Sequence, residues 1–191
     1  MNKLISSSIA VLALAASAHG TIIDFDLIGT AGAGLLPGNE PGAIVGGTGG
    51  EIGAGIFYDD VANLLTVNNI GWGSSQGFTD LSSTASASHI HGPTANNNGS
   101  GFTQTAGVAI TLTRSSSGVT GGTFTNAPIL LSAAQETDLL NGKFYVNIHT
   151  GNNGGGELRG FLVASPVPEP ATTGLVAFGA LALLRTRRSR A

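Results

Sequence analysis

Hydrophobic and polar residues alternate along several short segments of this chain, a pattern typical of β-strands with one buried face. In the first segment Ile23, Phe25 and Leu27 share one face, and aspartates occupy the positions between them. No long stretch of residues 21–165 follows the helical period of about 3.6 residues. The predicted strands are Thr21–Ile28, Gly53–Tyr58, Asn63–Ile70, Gly107–Thr113, Lys143–Thr150 and Glu157–Ala164.

Clusters of turn-forming residues separate these strands, for example the glycine-rich run 46–50 and the asparagine-rich run 96–99. The second and third strands are predicted to pair through a turn at Asp59-Asp60. Short strands at regular spacing are typical of antiparallel sandwiches and barrels. The predicted fold class is therefore all-β, an antiparallel β-sandwich or barrel like that of immunoglobulin or superoxide dismutase domains.

One short helix is predicted before the strand at residues 143–150. Ser132 and Gln135 fit a capping box, in which each side chain bonds the other residue's backbone N–H. Asn141-Gly142 fits a helix end. Leu139 and Leu140 are expected to pack this helix onto the sheet.

Composition and charge exclude several classes of protein. The 191 residues include 30 glycines but no cysteine, so disulfides and thiolate metal sites are excluded. Residues 19–166 hold three basic and ten acidic side chains, a net charge of −7. Nucleic-acid binding needs a basic surface for the phosphates, and we therefore expect none.

The first 18 residues are predicted to be a secretory signal peptide. Lys3 supplies the positive charge, Ile9–Ala16 the apolar stretch, and Ala16 and Ala18 an A-x-A cleavage site. The alternative is an uncleaved anchor helix. Cleavage after Ala18 would leave His19 at the N-terminus, where its amine and imidazole would chelate copper if a second histidine lay nearby.

The C-terminal residues carry a second targeting pattern. Their apolar stretch, 171–184, is shorter than the about 20 residues of a full membrane span. The arginines beyond it should stay cytoplasmic, which indicates a short transmembrane-like helix with the domain outside. The pattern consists of Val167, Pro168, Glu169 and Pro170, then the apolar stretch, then Arg185, Arg187 and Arg188.

This order of elements closely resembles the PEP-CTERM sorting signal of bacteria that make extracellular polysaccharide. The resemblance implies an exosortase-like processing enzyme as a partner. It also implies passage through the inner membrane, and a final location at the cell surface or in the extracellular matrix. An ordinary tail anchor is the alternative. The predicted organisation is a signal peptide at 1–18, a β domain at 19–165 and a sorting or anchor segment at 166–191.

Three motifs in the second half of the β domain resemble the CHRD (chordin-type) domain. They are the segments 88–93 (SHIHGP), 140–150 (LNGKFYVNIHT) and 155–160 (GGELRG), and the resemblance covers residues 85–163. The family also has a Glu-Val-Pro-Pro-like segment near its start, which 39–42 (NEPG) echoes in part. The resemblance implies a binding or structural role, with no established enzymatic activity.

The histidines are the candidate metal ligands. His89 and His91 are two residues apart and would share one face of a strand, and His149 lies on the polar face of another. If these strands are neighbours, three imidazoles and a carboxylate from Glu157 or Asp80 would suit zinc or copper. The His-x-His pair is also similar to part of the copper site of Cu,Zn superoxide dismutases. The alternative is that each histidine only hydrogen-bonds a loop carbonyl.

Other residues carry further hypotheses. Glu157 and Arg159 would share a face, either as a ligand site or as a surface ion pair. Trp72 would either stack on a sugar or lie in or at the rim of the core. Four aspartates would either bind calcium or form solvated edges and turns: Asp24, Asp26, Asp59 and Asp60.

Two functions follow from these patterns. The first is a non-enzymatic surface or matrix protein with a binding or structural domain, associated with extracellular polysaccharide. The second is a secreted zinc or copper protein, redox or hydrolytic, that uses the three histidines. The sequence contains no cysteine nucleophile and no phosphate loop, which favours the first function.

Overall fold

The computed structural model describes residues 21–95, 101–115 and 119–166, and these residues form a mostly antiparallel β structure. The strands are short because glycine-rich turns interrupt them. They are β1 (Ile22–Gly29), β2 (Gly32–Ala33), β3 (Gly49–Glu51), β4 (Ile56–Asp59), β5 (Leu64–Thr66), β6 (Ile70–Trp72), β7 (Ala85–His91), β8 (Val108–Thr111), β9 (Gly122–Thr123), β10 (Ile129–Leu130), β11 (Tyr145–Thr150) and β12 (Leu158–Ala164).

The larger of two sheets has nine strands and curls into a half-barrel. Its order is β10-β5-β4-β1-β12-β11-β7-β8, with β2 paired to β1. The pairing of β1 with β12 joins the two ends of the domain. The smaller sheet has the order β3-β6-β9. The predicted hairpin through Asp59-Asp60 is confirmed, since β4 pairs with β5.

The hydrophobic core lies inside the curled sheet. Alternate residues of its central strands point inward, among them Val146 and Ile148 from β11 and Leu162 from β12, and all three are fully buried. The smaller sheet contributes Trp72, whose ring packs on Phe124 with centroids 5.1 Å apart. One face of each central strand is therefore apolar, as the alternation predicts.

The opposite face of β7, β11 and β12 is covered as well. The loop after β2 lies on it, because Leu36 bridges Arg159 of β12 and Asn39 donates its side-chain N–H to the Arg159 carbonyl at 2.9 Å. Tyr145 and Asn147 on this face are each only 2% exposed. Polar and aromatic side chains thus form a second buried layer, which we call the outer layer.

The predicted helix is confirmed as α1 (Ala133–Leu140), with both bonds of the capping box between Ser132 and Gln135. It ends at Asn141, followed by Gly142 at φ 62°. Leu139 packs in the core, but Leu140 is 42% exposed, so the prediction that both leucines face the sheet is wrong for Leu140. Adjacent helical residues point about 100° apart, and a helix this short buries only one narrow stripe.

The all-β antiparallel class is confirmed, and the likeness to immunoglobulin or superoxide dismutase sandwiches stays a prediction. Strand β7 (Ala85–His91) is not among the predicted strands. The predicted signal peptide, His19 and the tail beyond Pro166 lie outside the described residues. Within the described part of the chain, no helix has both the length and the apolar character needed to cross a membrane.

Two leucines test where the core lies. Leu162→Ala should lower the free energy of unfolding by about 2–5 kcal/mol, because it leaves a cavity among fully packed side chains. Leu130→Ala on the edge strand β10 should change it by less than about 0.5 kcal/mol, since Leu130 is 70% exposed. Urea denaturation of both variants measures the difference, and equal effects would contradict the assignment of the core.

Candidate metal site and adjoining pocket

Pairing of β7 with β11 places the predicted histidines side by side. His89 lies opposite Asn147, His91 lies opposite Tyr145, and His149 comes two residues after Asn147 on the same face. A bulge follows His149 and ends the regular ladder there. The three histidines therefore share the outer layer, on two neighbouring strands.

The three imidazoles converge. The Nε2 of His149 lies 3.2 Å from Nδ1 of His89 and 3.4 Å from Nε2 of His91. Each histidine offers one ring nitrogen, and these three nitrogens all lie within 4.8 Å of one another. Within the described residues, this is the group of histidine and acidic side chains whose spacing suits a metal ion.

Backbone carbonyls hold two of the three rings. The Nδ1 of His91 lies 2.9 Å from the Ala106 carbonyl, and Nδ1 of His149 lies 3.0 Å from the Gly154 carbonyl. A carbonyl only accepts, so each Nδ1 carries a proton, and in a neutral ring Nε2 then carries a lone pair. The sequence left two alternatives, that the histidines only hydrogen-bond loop carbonyls or that their imidazoles converge. In the structure both occur together.

The surroundings favour neutral imidazoles. Burial lowers the pKa of His89, and the neighbouring His149 lowers it further. Burial also lowers the pKa of His91, although the hydrogen bond to the Ala106 carbonyl opposes this shift. These two histidines are therefore uncharged at neutral pH, the state in which a ring nitrogen binds metal.

Glu157, predicted as a fourth ligand, is not in this group. Its Oε1 accepts from the backbone N–H groups of Gly47 at 2.9 Å and Ser82 at 2.7 Å. Its Oε2 accepts from the Thr150 hydroxyl at 2.8 Å and from the Asn153 side chain at 3.1 Å. Burial alone would raise the pKa of Glu157, but these hydrogen bonds outweigh burial and lower it. The carboxylate ties three loops together.

The expected surface pair of Glu157 and Arg159 is also wrong, because both side chains are fully buried. Glu157 precedes β12, so strand alternation does not place it beside Arg159. Arg159 instead pairs with Glu40 at 3.8 Å and stacks on the Tyr145 ring, 3.6 Å from its centroid. Its Nη2 donates to the Gln104 carbonyl.

A pocket of about 290 Å³ adjoins the histidines. Its walls include Glu40, His91, Tyr145, Asn147 and Arg159. Four buried atoms of these residues have no hydrogen-bond partner among the described residues: Glu40 Oε1, Asn147 Oδ1, and Nε and Nη1 of Arg159. Buried polar atoms are rarely left unpaired, because the lost hydration costs about 1–3 kcal/mol each.

Glu40 is the titrating group of this pocket. Burial raises its pKa to about 7, although the charge of Arg159 and a hydrogen bond from Asn147 oppose the shift. Burial likewise lowers the pKa of Arg159. Near neutral pH the pocket therefore holds a cationic arginine beside a carboxyl group that is partly protonated.

Sequence analysis missed this pocket. The sequence predicts Arg159 either in a ligand site with Glu157 or in a surface ion pair with it, and it indicates Glu40 only within the partial echo of a family segment. The segment 39–42 (NEPG) is the feature of the sequence from which this pocket could have been predicted. In the structure it covers the outer layer, with Asn39 and Glu40 buried.

The remaining candidates do not converge on the histidines. Trp72 is fully buried, so its place is in the core and the sugar-stacking hypothesis is wrong. Asp80 accepts from the backbone N–H of Ser74 at 2.8 Å. Asp59 accepts the backbone N–H groups of Val61 and Ala62 at its turn, as the turn hypothesis predicts, and Asp60 accepts the backbone N–H of Thr21. None of the predicted aspartates belongs to the candidate metal group among the described residues.

Comparison with known proteins gives one match. The family model described as the CHRD domain matches residues 44–162. Neither the curated proteins nor the solved structures searched contain a match.

Glu157→Gln tests the role of the buried carboxylate. The variant should lose about 2–4 kcal/mol of stability at pH 7, because hydrogen bonds to a charged acceptor are replaced by neutral ones. The folded-state pKa is lowered from 4.5, so the wild type loses this contribution as the pH falls through that lower pKa. Denaturation at pH 7 and at pH 3 should show the difference between wild type and variant shrinking in acid.

Asp24→Asn on β1, where the aspartate is exposed, is the control, with a small effect at both pH values. A difference between wild type and Glu157→Gln that stays constant from pH 7 to pH 3 would contradict a lowered pKa for Glu157.

Proposed function

This chain belongs to the CHRD domain family, and we propose that it is an exported surface or extracellular-matrix protein that binds a ligand without transforming it. A CHRD domain is typical of extracellular and secreted proteins. The single observation that carries the binding role is the pocket whose buried polar atoms lack partners.

The polar residues that line the pocket define the chemistry of the ligand. The side chains of Glu40 and Asn147 carry acceptor oxygens, that of Arg159 carries donors, and all three residues line one cavity. A sugar hydroxyl both donates and accepts, so a hydroxyl-rich residue would pair with both kinds of atom. Extracellular polysaccharide, the partner that the tail resemblance implies, has this chemistry. The proposed ligand is therefore a segment of such a polysaccharide.

The same pocket favours binding over cleavage of a sugar. Glycoside hydrolysis commonly uses two carboxyl groups on either side of the scissile bond. Among the described residues that line the pocket, Glu40 is the one acidic residue, and it is paired with Arg159. The sequence also contains no cysteine nucleophile.

Delivery to the outside rests on the two ends of the chain. The signal-peptide pattern around Ala16 and Ala18 would direct export across the inner membrane. The pattern from Val167 to Arg188 would hold the protein there until an exosortase-like enzyme processes it. The acidic domain between these ends would then reach the cell surface or matrix.

Asn147→Ala tests ligand binding. The full-length protein should co-sediment with extracellular polysaccharide from the producing cells, and the variant should bind at least about tenfold more weakly, equivalent to one lost hydrogen bond in a pocket. Asn141→Ala at the exposed end of α1 is the matched control and should bind like the wild type. Equal binding by a correctly folded Asn147→Ala variant, checked by circular dichroism, would contradict the assignment of this pocket.

Export is tested separately with Ala18→Tyr. A bulky residue at the cleavage site should block signal removal, so the variant should stay membrane-bound at a higher mass. The wild-type protein should be recovered from the envelope or medium with His19 as its first residue, by N-terminal sequencing. Intact chain in the soluble cytoplasmic fraction would contradict export.

A further inference from the structure

We propose that His89, His91 and His149 together bind one transition-metal ion, with Zn²⁺ as the ion that fits best. This site goes beyond the ligand pocket of the proposed function. It depends only on the three ring nitrogens that converge between β7 and β11.

The spacing of the nitrogens fits a tetrahedral ion. Zinc–imidazole bonds are about 2.0–2.1 Å long, so two nitrogens of one tetrahedron are about 3.3–3.4 Å apart. The distances from His149 Nε2 to His89 Nδ1 and to His91 Nε2 are 3.2 and 3.4 Å. Two ligands at right angles on a square-planar ion would be closer, about 2.8–3.0 Å at the same bond length, which disfavours the geometry preferred by Cu²⁺.

The protonation pattern supports a cation at this point. Because the Ala106 and Gly154 carbonyls hold the protons on Nδ1 of His91 and His149, both Nε2 atoms direct lone pairs toward each other. Facing lone pairs repel, and a shared cation converts this repulsion into two bonds. The third nitrogen, His89 Nδ1, lies 3.2 Å from His149 Nε2.

The supporting hydrogen bonds are those of a metal site. Histidine ligands in proteins usually donate the second ring N–H to a carbonyl or carboxylate, which fixes the ring and raises its basicity. His91 and His149 both do so. The rings are therefore oriented by the loops around them.

The donor set decides the class of ion. Three imidazoles without a carboxylate or thiolate suit zinc or copper and disfavour calcium and magnesium, which prefer oxygen ligands. Three protein ligands leave a fourth tetrahedral position for water or for a ligand atom. Since His91 also lines the polar pocket, we expect ion and pocket ligand to influence each other's affinity.

Titration of the purified, chelator-treated full-length protein with Zn²⁺ alone tests the site. Isothermal calorimetry should show one ion per chain, and thermal unfolding should shift upward as zinc is added, since the folded state binds the ion. His149→Ala should weaken binding at least about hundredfold. His19→Ala removes the one histidine outside the cluster and should bind zinc like the wild type.

Cobalt provides a readout of geometry. Co²⁺ bound to the wild type should give the intense visible absorption of a tetrahedral site, and His89→Gln should lose it while keeping the β-sheet circular-dichroism spectrum. His89→Gln serves as the test if His149→Ala does not fold. Absent zinc and copper binding by the wild type, or equal binding by a folded His149→Ala or His89→Gln variant, would overturn the site. Either result would leave the polysaccharide-binding pocket untouched, because Asn147→Ala tests it independently.

Discussion

The register between β7 and β11 is the constraint on which the rest of the structure depends. Side chains alternate between the two faces of a strand, so a shift by one residue would exchange the faces. The observed register sets His89 opposite Asn147 and His91 opposite Tyr145 in the outer layer. It also sets Ile90 opposite Val146 in the core. Core packing and the histidine cluster are therefore consequences of one alignment.

The outer layer is unusual for an antiparallel sheet, which commonly leaves one face in water. Here the loop after β2 covers that face and buries Arg159 with Glu40. Burial of an ion pair costs desolvation energy that its mutual attraction offsets only in good geometry. At 3.8 Å, with unpaired atoms on both partners, this pair adds little stability.

Local patterns were sufficient to predict much of the fold and part of the site. Alternation predicted β1 and β11, the capping box predicted α1, and spacing by two placed His89 and His91 on one face. The positions of Glu157 and Arg159 could not be predicted. The carboxylate of Glu157 is held by Ser82, 75 residues away, and the burial of Arg159 depends on a loop that precedes it by more than a hundred residues. Burial of this kind arises from tertiary contacts that no local period encodes.

Nuclear Overhauser effects between backbone protons of β7 and β11 test the register most directly. The account predicts cross-strand contacts that pair His89 with Asn147 and His91 with Tyr145. Contacts that pair His89 with Val146 or with Ile148 would show a one-residue shift. That result would place the imidazoles on the opposite face from Asn147 and contradict both the metal site and its position beside the pocket.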